Sequence, residues 1–321
     1  LNIQKIGMII KKNYLLKNFT TMRLGGPARQ FAVVKSEKEL LLALNFARQS
    51  KMPWYVIGEG SNLIVADRGY PGFVIRNHIE KFVRRGHSVT VGAGNNLLDF
   101  VRKLNSLGLR GIERMAGIPG TVGGAIYGSA GAYGNEIKDV LVKVRLFDGK
   151  QFRNFNKSQC RFGYRESIFK KHKDWVVTEA TLRLGTGSKK ELQRISREII
   201  KLRTKKYPPG LRCPGSFFKN IKLSDIRPVS RRRAFLKKLN RSKIIYGKVP
   251  TGYLLETAGA RGMRAGSILV AKHHANLIYN PGKGRASDVW KLAQKLKRLV
   301  KNKFGITIQE EVQYLGIHPV R

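Results

Sequence analysis

The pattern of apolar and polar positions predicts short strands and amphipathic helices that follow one another closely. Ser36 and Glu39 form an S-x-x-E capping box, and the apolar stripe after them predicts a helix to about residue 50. A second helical pattern covers 97–107 and ends at a glycine. Short β-branched or aromatic runs predict strands at 31–34, 54–57, 63–66, 73–76 and 88–93. The first half of the chain therefore reads as mixed α and β structure.

Two long alternating runs, 140–147 and 175–184, follow within the first 185 residues and predict paired strands. Another capping box, Ser188 with Glu191, predicts a helix to about residue 205, and we place the domain boundary at its start. A last helix, capped by Ser287, is expected to run to about residue 303, with a strand at 306–315 after it.

The charge balance is unusual for a globular chain. The 321 residues include 63 Lys and Arg against 20 Asp and Glu, a formal net charge of +43. Such an excess suits nucleic acid, a phosphorylated small molecule or a membrane surface, and it decides between none of them. Sixteen of the basic residues, and one acid, lie between Lys201 and Lys248. Apolar residues recur through that block, which favours a folded basic surface.

Other features of the composition narrow the class of protein. No apolar run approaches the roughly 18 to 20 residues that span a bilayer, and the opening residues lack a secretory apolar segment. We therefore expect a cytoplasmic protein. Cys160 and Cys213 show neither C-x-x-C nor metal-ligand spacing, so two reduced thiols are favoured over a single disulfide, and no metal site is expected.

Two glycine-rich segments are candidates for ligand binding. GEGSN (58–62) places bare backbone amides between two strands, although a turn without a ligand explains such a pentapeptide equally well. It is not the dinucleotide fingerprint, because Leu63 occupies the last glycine position and a strand follows. The loop 117–134 carries seven glycines in eighteen residues, which indicates contact with a flat ring or a pyrophosphate. GAGNN (92–96) is expected to have only a structural role.

A family resemblance becomes specific at these segments. The chain resembles the UDP-N-acetylenolpyruvoylglucosamine reductase (MurB) family in collinear strings from Asn18 to Gly316. The strings include VIGEGSNLIVADRGYPGFVIRN, GIERMAGIPGTVGGAIYGSAGAYGNEI, CRFGYRESIFK, RTKKYPPG, PGSFFKNI and FGITIQEEVQYLG.

The resemblance implies an α+β fold with an FAD-binding domain of the vanillyl-alcohol-oxidase (PCMH) type and a smaller C-terminal α+β substrate domain. The FAD-binding region would cover 1–187, as subdomains of about 1–78 and 79–187, and the substrate domain 188–321, with a catalytic glutamate on its last strand. The pyrophosphate of FAD would lie on backbone amides. The implied cofactor-binding residues are Gly58, Glu59, Gly60, Ser61, Asn62, Gly117, Ile118, Pro119, Gly120, Gly123, Gly124, Ser129, Gly131 and Ala132.

The reaction that the resemblance implies has two hydride steps. NADPH, as co-substrate, reduces FAD, and the flavin then passes hydride to the methylene carbon of an enolpyruvyl ether on a UDP-sugar. Ser216 matches the proton donor, while Arg165 and Glu311 match the enolate-stabilising pair, with Glu311 acting protonated or through Arg165. A serine hydroxyl is a weak acid, so Ser216 needs a neighbouring cation or relay, for which Lys206 and Lys219 are candidates.

Further implied roles concern substrate binding and assembly. Tyr164, Lys206, Lys219, Asn220 and His274 would contact the UDP-sugar, and the protein would act as a monomer, with no membrane or nucleic-acid partner. Two positions depart from the family pattern. Ser129 stands where the family usually has Asn, which leaves one flavin hydrogen bond open, and Gln309 replaces the first Glu of the usual L-E-x-E-V ending.

Two other functions stay open from the sequence alone. One is another FAD oxidoreductase on the same fold, against which the substrate-half strings PGSFFKN and QEEV argue. The other is a basic nucleic-acid-binding protein, motivated by the block from Lys201 to Lys248.

Overall fold

A computed structural model describes residues 8–317, which divide into two compact units. The first unit contains residues 8–14, 28–60 and 70–205. The second contains 15–27, 61–69 and 206–317. Two short segments of the N-terminal half thus belong to the second unit, which no local sequence pattern had indicated.

The helices and strands follow the chain in this order. The α-helices are α1 (Glu37–Gln49), α2 (Leu97–Ser106), α3 (Val122–Gly128), α4 (Ile137–Val140), α5 (Lys189–Lys206), α6 (Val229–Lys237), α7 (Thr251–Thr257) and α8 (Ala286–Phe304). The strands are β1 (Ile10–Leu15), β2 (Pro27–Val34), β3 (Trp54–Ile57), β4 (Leu63–Val65), β5 (Tyr70–Asn77), β6 (Phe82–Arg85), β7 (Ser88–Gly92), β8 (Leu109–Arg110), β9 (Gly131–Ala132), β10 (Asn135–Glu136), β11 (Leu141–Phe147), β12 (Phe152–Asn156), β13 (Val176–Arg183), β14 (Gly185–Thr186), β15 (Ile221–Lys222), β16 (Lys248–Val249), β17 (Arg264–Ala265), β18 (Ile268–Val270), β19 (Ile278–Tyr279) and β20 (Gln313–Leu315).

Two sheets organise the first unit. One has the order β1-β2-β5-β3, with β5 parallel to both β2 and β3, and α1 buries its apolar stripe in the same core. The other is antiparallel, in the order β12-β11-β13-β7-β6. The predicted pairing of the runs 140–147 and 175–184 is confirmed as β11 against β13, with Arg145 opposite Glu179.

Helix α5 packs within the first unit, although the sequence placed a domain boundary at its start. Leu192 and Ile199 are buried on it. Between them Ser196 accepts a hydrogen bond from Asn105 (2.8 Å) and donates one to the carbonyl of Glu113 (2.8 Å). A buried hydroxyl that both donates and accepts fixes this helix against its unit. The division into compact units therefore falls at residue 206 and not at 188.

The second unit is built around α7, α8 and small sheets. Strands β17, β18 and β19 form an antiparallel sheet, and β15 pairs with β16. Strand β4 runs parallel to β20, with Ile64 opposite Tyr314. The predicted strand at 306–315 is shorter than expected, because only Gln313–Leu315 forms the ladder with β4.

The start of α8 corrects one sequence expectation. Ser287 does not cap this helix, which begins at Ala286 and has Arg285 at the N-cap position without a side-chain cap. The Asp67 carboxylate accepts hydrogen bonds from the amides of Ala286 (2.7 Å) and Ser287 (3.1 Å) instead. An acid at a helix N-terminus satisfies free amides and complements the helix dipole. Because Asp67 is far from α8 in the sequence, no local pattern around the beginning of this helix could have indicated the cap.

This cap gives a testable stability difference. Asp67→Ala should lower the free energy of unfolding by about 1 to 2 kcal/mol, since it removes two hydrogen bonds to a charged acceptor. Ser287→Ala, at an exposed position, should change it by less than about 0.5 kcal/mol. Denaturant unfolding of both variants measures this. An equal loss of unfolding free energy in the two variants would contradict the assignment of the cap to Asp67.

The basic block from Lys201 to Lys248 is folded, as its apolar residues indicated. Phe235 is fully buried and packs edge-on against Phe304 of α8, with ring centroids 6.2 Å apart. Lys238 donates to the carbonyl of Lys303 (3.0 Å). Ile245, by contrast, is exposed.

Among residues 8–317, no helix has the length and apolar character needed to cross a membrane. Cys160 and Cys213 are both buried, and neither forms a disulfide.

Candidate active site

Three loops of the first unit converge where the sequence predicted FAD binding. The Glu59 carboxylate accepts a hydrogen bond from Asn96 (2.9 Å), in the GAGNN segment. The amide of Leu97 donates to Gly120 (2.9 Å), in the glycine-rich loop. A Cβ on Gly58 would stand 2.6 Å from the Thr121 hydroxyl oxygen. The turn at 58–60, the GAGNN segment and the glycine-rich loop (residues 117–134) thus lie together.

Backbone hydrogen bonds join the GAGNN segment to the glycine-rich loop. The amide of Gly123 donates to Ala93 (2.9 Å), and that of Val122 donates to Asn95 (3.0 Å). A Cβ on Gly123 would stand 2.8 Å from the Cβ of Ala93, closer than real carbon contacts come. Glycine is therefore required at 123 for close packing, and GAGNN has the structural role that its sequence indicated.

The beginning of the glycine-rich loop is held by helix α5. Arg203 donates through Nε to the carbonyl of Gly117 (2.9 Å). Gly117 and Gly120 have φ values of 79° and 116°, which side-chain-bearing residues rarely adopt. Ile118 and Pro119 lie between these two positions of positive φ. The loop conformation therefore depends on glycine at both ends of this tetrapeptide.

The end of the loop is tied to Arg165. Its guanidinium donates to the carbonyls of Ser129 (3.3 Å) and Gly131 (2.7 Å). Arg165 and Tyr164 form the tip of a tight turn that is closed by two hydrogen bonds between Gly163 and Glu166. The Arg165 guanidinium lies 5.4 Å from the centre of the Tyr164 ring. The implied catalytic arginine is thus placed against the implied flavin loop by the fold of the first unit.

The chemistry of these loops fits a flavin nucleotide. The segments that meet here consist mostly of residues with small side chains, which leave backbone amides accessible. Close approach to a ring and a pyrophosphate requires such residues. The Ser129 hydroxyl is buried, and within the described residues its oxygen has no hydrogen-bond partner. A buried polar atom without a partner is costly unless a ligand satisfies it. Residues able to hold the group are Gly58, Glu59, Gly60, Gly117, Ile118, Pro119, Gly120, Gly123, Gly124, Ser129, Gly131 and Ala132.

In the second unit, backbone pairing brings Ser216 and Glu311 into neighbouring segments. Phe218 and Glu310 form an isolated antiparallel bridge. The amide of Glu311 donates to the carbonyl of Phe217 (2.8 Å), and that of Lys219 donates to Gln309 (2.9 Å). The segment that carries Ser216 and the segment that carries Glu311 are far apart in sequence, and their backbones are therefore paired.

The side chains of the two adjacent acids are used differently. Glu310 pairs with Lys297 of α8 (2.5 Å), in a partly buried ion pair. The Glu310 carboxylate is therefore engaged by α8, whereas Glu311 is tied through its backbone to Phe217.

Asn62 contacts the same segment, and its implied role toward a flavin stays a prediction. Its side-chain amide donates to the carbonyl of Glu311 (3.0 Å), and its own carbonyl accepts from the amide of Gln313 (2.9 Å). The carbonyl of the neighbouring Ser61 accepts from the Thr21 hydroxyl (2.9 Å). Ser61 and Asn62 thus belong to the second unit, and the side chain of Asn62 fixes the backbone at Glu311.

Sequence reasoning missed Tyr207. Its hydroxyl lies 2.9 Å from the Ser216 hydroxyl, and both side chains are half-buried. The ammonium of Lys206 is 5.1 Å from the centre of the Tyr207 ring. Tyr207 lies in the string RTKKYPPG, but that string gives no sign of a contact with Ser216, which only the three-dimensional arrangement reveals.

Asn276 was also missed. It is buried, and its side chain makes two hydrogen bonds to the backbone of Phe218, donating to the carbonyl (2.8 Å) and accepting from the amide (2.8 Å). Its own carbonyl accepts from the amide of Phe217 (2.9 Å). The Asn276 side chain thus makes the two backbone hydrogen bonds that a neighbouring strand would make to Phe218, in the segment that carries Ser216. A polar residue within the apolar run ANLIY was the available signal.

Two implied substrate residues, Lys219 and Asn220, have structural contacts of their own. The carbonyl of Lys219 accepts a hydrogen bond from the Thr251 hydroxyl (2.5 Å). The side-chain oxygen of Asn220 accepts from the amide of Thr251 (3.2 Å). Both contacts tie the segment after Ser216 to the beginning of α7. Their roles toward a substrate stay predictions.

His274 is neutral at physiological pH. Burial, with the nearby charges of Lys206, His273 and Arg261, lowers the pKa of His274 to about 4. Its Nε2 is buried without a hydrogen-bond partner in the described part of the chain. The neighbouring His273 ring contacts the carbonyl of Lys206 (3.0 Å). The unused ring nitrogen of His274 is thus available to a ligand through hydrogen bonding and not through charge.

The depressed pKa predicts a pH dependence of stability. Between pH 6.5 and about 4 the unfolded chain binds more protons at His274 than the folded one, so its contribution weakens as pH falls through that window. His274→Gln should show a shallower drop in thermal midpoint between pH 7 and pH 4.5. His87→Gln removes an exposed imidazole and should keep the wild-type slope. Identical slopes for all three proteins would contradict the assignment.

Comparison with known proteins agrees with these two halves. An FAD binding domain model matches residues 28–151, and a model of the UDP-N-acetylenolpyruvoylglucosamine reductase C-terminal domain matches 207–315. The predicted α+β fold, an FAD-binding domain of the PCMH type with a C-terminal substrate domain, is confirmed.

Individual relatives match over nearly the whole chain. The UDP-N-acetylenolpyruvoylglucosamine reductase of Solibacter usitatus is 44% identical over 94% of this chain and 95% of its own length. That of Carboxydothermus hydrogenoformans is 34% identical over 98% and 96%. The crystal structure of the Thermus caldophilus enzyme (MurB) superposes with a TM-score of 0.74 at 30% identity, over 96% of this chain and 99% of that one. The chain therefore belongs to the UDP-N-acetylenolpyruvoylglucosamine reductase family of FAD-dependent oxidoreductases.

Proposed function

We propose that this enzyme reduces UDP-N-acetylglucosamine enolpyruvate to UDP-N-acetylmuramate with NADPH, in the synthesis of peptidoglycan precursors. The observation that supports this most strongly is the pairing of the Phe217 and Glu311 backbones, because it brings together the segments that carry the two groups proposed as proton donor and acid. When bound, FAD supplies hydride transfer, from NADPH and then to the methylene carbon of the enolpyruvyl group. The side chains of the protein must then stabilise the negative charge that develops on the substrate and supply the proton.

Ser216 is the proton donor in this proposal. Reduction at the methylene carbon leaves negative charge on the adjacent carbon and its carboxylate, and a proton must reach that adjacent carbon. The Ser216 hydroxyl is half-buried, and the backbone of the two residues after it is held by Asn276 and by the segment of Glu311. A donor that is held in place contributes more than one that must be ordered in the transition state.

Arg165 and Glu311 stabilise the charge that develops on the substrate. The Arg165 guanidinium is oriented by two loop carbonyls, so it is preorganised to meet an anion. Glu311, in its protonated form, would donate a hydrogen bond to the enolate, and its backbone is anchored by Phe217 and Asn62. Preorganised groups of this kind pay no reorganisation cost during the reaction.

Recognition of the UDP-sugar is assigned to a mainly basic and polar set: Tyr164, Lys206, Lys219, Asn220 and His274. Positive charge favours the two phosphates and the carboxylate of the substrate, and the excess of +43 favours every anionic ligand of the reaction. Because NADPH and UDP-sugars are cytoplasmic metabolites, we place the enzyme in the cytoplasm, acting as a monomer.

The test is a substrate-dependent assay. The purified protein should carry the absorption band of a bound flavin and oxidise NADPH rapidly only when UDP-N-acetylglucosamine enolpyruvate is present. UDP-N-acetylglucosamine, which lacks the enolpyruvyl group, is the matched control and should not support turnover. A flavin-bound protein that oxidises NADPH equally with both would belong to a different oxidoreductase on this fold.

A further inference from the structure

The hydroxyl of Ser216 presents a chemical difficulty that the family resemblance leaves unsolved. An aliphatic hydroxyl is a very weak acid, so its conjugate alkoxide is too basic to be left behind after proton transfer to carbon. The sequence suggested Lys206 or Lys219 as the group that helps. In the structure the Tyr207 hydroxyl lies 2.9 Å from the Ser216 hydroxyl.

Tyr207 has the properties that a proton-supplying partner requires. A phenol is far more acidic than a serine hydroxyl, with an ordinary pKa of about 10. In this pair it is therefore the better donor, which leaves the serine proton free to face the substrate. The Lys206 ammonium lies 5.1 Å from the ring centre, and a cation at that distance stabilises negative charge on the phenol oxygen and ring.

We propose that Tyr207 is a positioning residue that orients the Ser216 hydroxyl and replaces its proton as the substrate is protonated. The Ser216 O–H bond breaks as a C–H bond forms on the carbon beside the carboxylate. The Tyr207 O–H bond breaks as the Ser216 O–H bond re-forms, and the phenolate takes a proton from water. One negative charge thus moves from the substrate to Tyr207, beside Lys206. This inference rests on the proposed function, because it needs Ser216 as the proton donor.

The first experiment measures single turnover. The protein is reduced with NADPH, and flavin reoxidation by the enolpyruvyl substrate is followed. Tyr207→Phe keeps the ring and its contact with Lys206, and should slow reoxidation by roughly 10- to 100-fold, while the NADPH step is unchanged. Tyr246→Phe is the matched control, because Tyr246 is 92% exposed, and it should leave both steps unchanged.

Measuring the same substitution in a Ser216→Cys protein separates a role of Tyr207 in proton supply from a role in supporting the local fold. In Ser216→Cys the donor is a thiol with an ordinary pKa of about 8.5, which can lose its proton without a relay. Adding Tyr207→Phe to that variant should therefore cost less than about 3-fold. An equal loss in both backgrounds would overturn the proposal, since it would mean that Tyr207 only supports the local fold.

A third readout needs neither cofactor nor turnover. In a Ser216→Cys, Cys213→Ala protein, the pH dependence of alkylation at residue 216 gives the pKa of its thiol. Loss of the tyrosine hydroxyl should raise that pKa by about one unit, because one hydrogen bond to the thiolate disappears. An unchanged pKa would show that Tyr207 does not donate to residue 216 and would overturn the proposal.

The outcomes also distinguish this inference from the proposed function. Slow reoxidation in Ser216→Ala together with normal reoxidation in Tyr207→Phe rejects the role of Tyr207 and leaves the reductase intact. Normal reoxidation in Ser216→Ala rejects Ser216 as the donor, and with it the relay. No reoxidation in the unmodified protein rejects the proposed function itself.

Discussion

A Ser216→Ala enzyme is expected to accept hydride from NADPH at the normal rate but to reduce the enolpyruvyl substrate about 10³-fold more slowly. The two steps separate because NADPH oxidation requires no proton donor of this kind, whereas the substrate carbon must be protonated. Loss of the hydroxyl leaves Tyr207 and Glu311 in place, so the local backbone should be preserved. Rapid-mixing measurement of each step, on the flavin absorption band, gives both rates.

Ser230→Ala is the matched control for this variant. Ser230 is exposed on α6, and its loss should change neither rate. If Ser216→Ala slowed both steps equally, the cause would be damage to the fold or to flavin binding. Unchanged reduction of the substrate would remove Ser216 from the mechanism.

Gly123→Val is expected to abolish flavin binding, with at least a tenfold fall in the flavin content of the purified protein. A Cβ at this position would stand 2.8 Å from the Cβ and 3.0 Å from the carbonyl oxygen of Ala93. Neither atom can move without displacing the glycine-rich loop from the segment that supports it. Overpacking of this kind also costs about 1 to 3 kcal/mol of stability. The ratio of flavin to protein absorption, with an unfolding curve, measures both effects.

Gly185→Val is the matched control. A Cβ at Gly185 meets only ordinary contacts, the nearest at 3.8 Å, so flavin content should be unchanged. A folded Gly123→Val protein with full flavin content would show that this part of the loop does not shape the flavin site.

Local patterns were sufficient to predict much of the first unit. The strand at 54–57 and the helices after Ser36 and Asn96 follow from periodicity and capping, because both signals lie within a few residues of the element that they define. The glycine-rich segment was recognised as a place of close backbone approach, since several of its glycines adopt positive φ or pack too closely for a side chain. The helix α3 within it was not predicted, because glycines are poor helix formers.

Contacts between distant segments could not be predicted. Asp67 caps a helix that begins 219 residues later, and Asn62 bonds to a carbonyl 249 residues away. Neither contact leaves a periodic or spacing signal. Tyr207 is only nine residues from Ser216, but the turn between them determines whether the two hydroxyls meet. Side-chain partnerships of this kind depend on tertiary packing, which the local sequence does not specify.

The most direct test of the proposed reaction is an anaerobic single turnover in deuterated water. The protein is reduced with one equivalent of NADPH and mixed with UDP-N-acetylglucosamine enolpyruvate. The flavin band should return as the substrate is consumed, and the product should carry solvent deuterium on the carbon beside the carboxylate. A flavin that stays reduced in the presence of this substrate, or a product with no solvent deuterium on that carbon, would contradict the account.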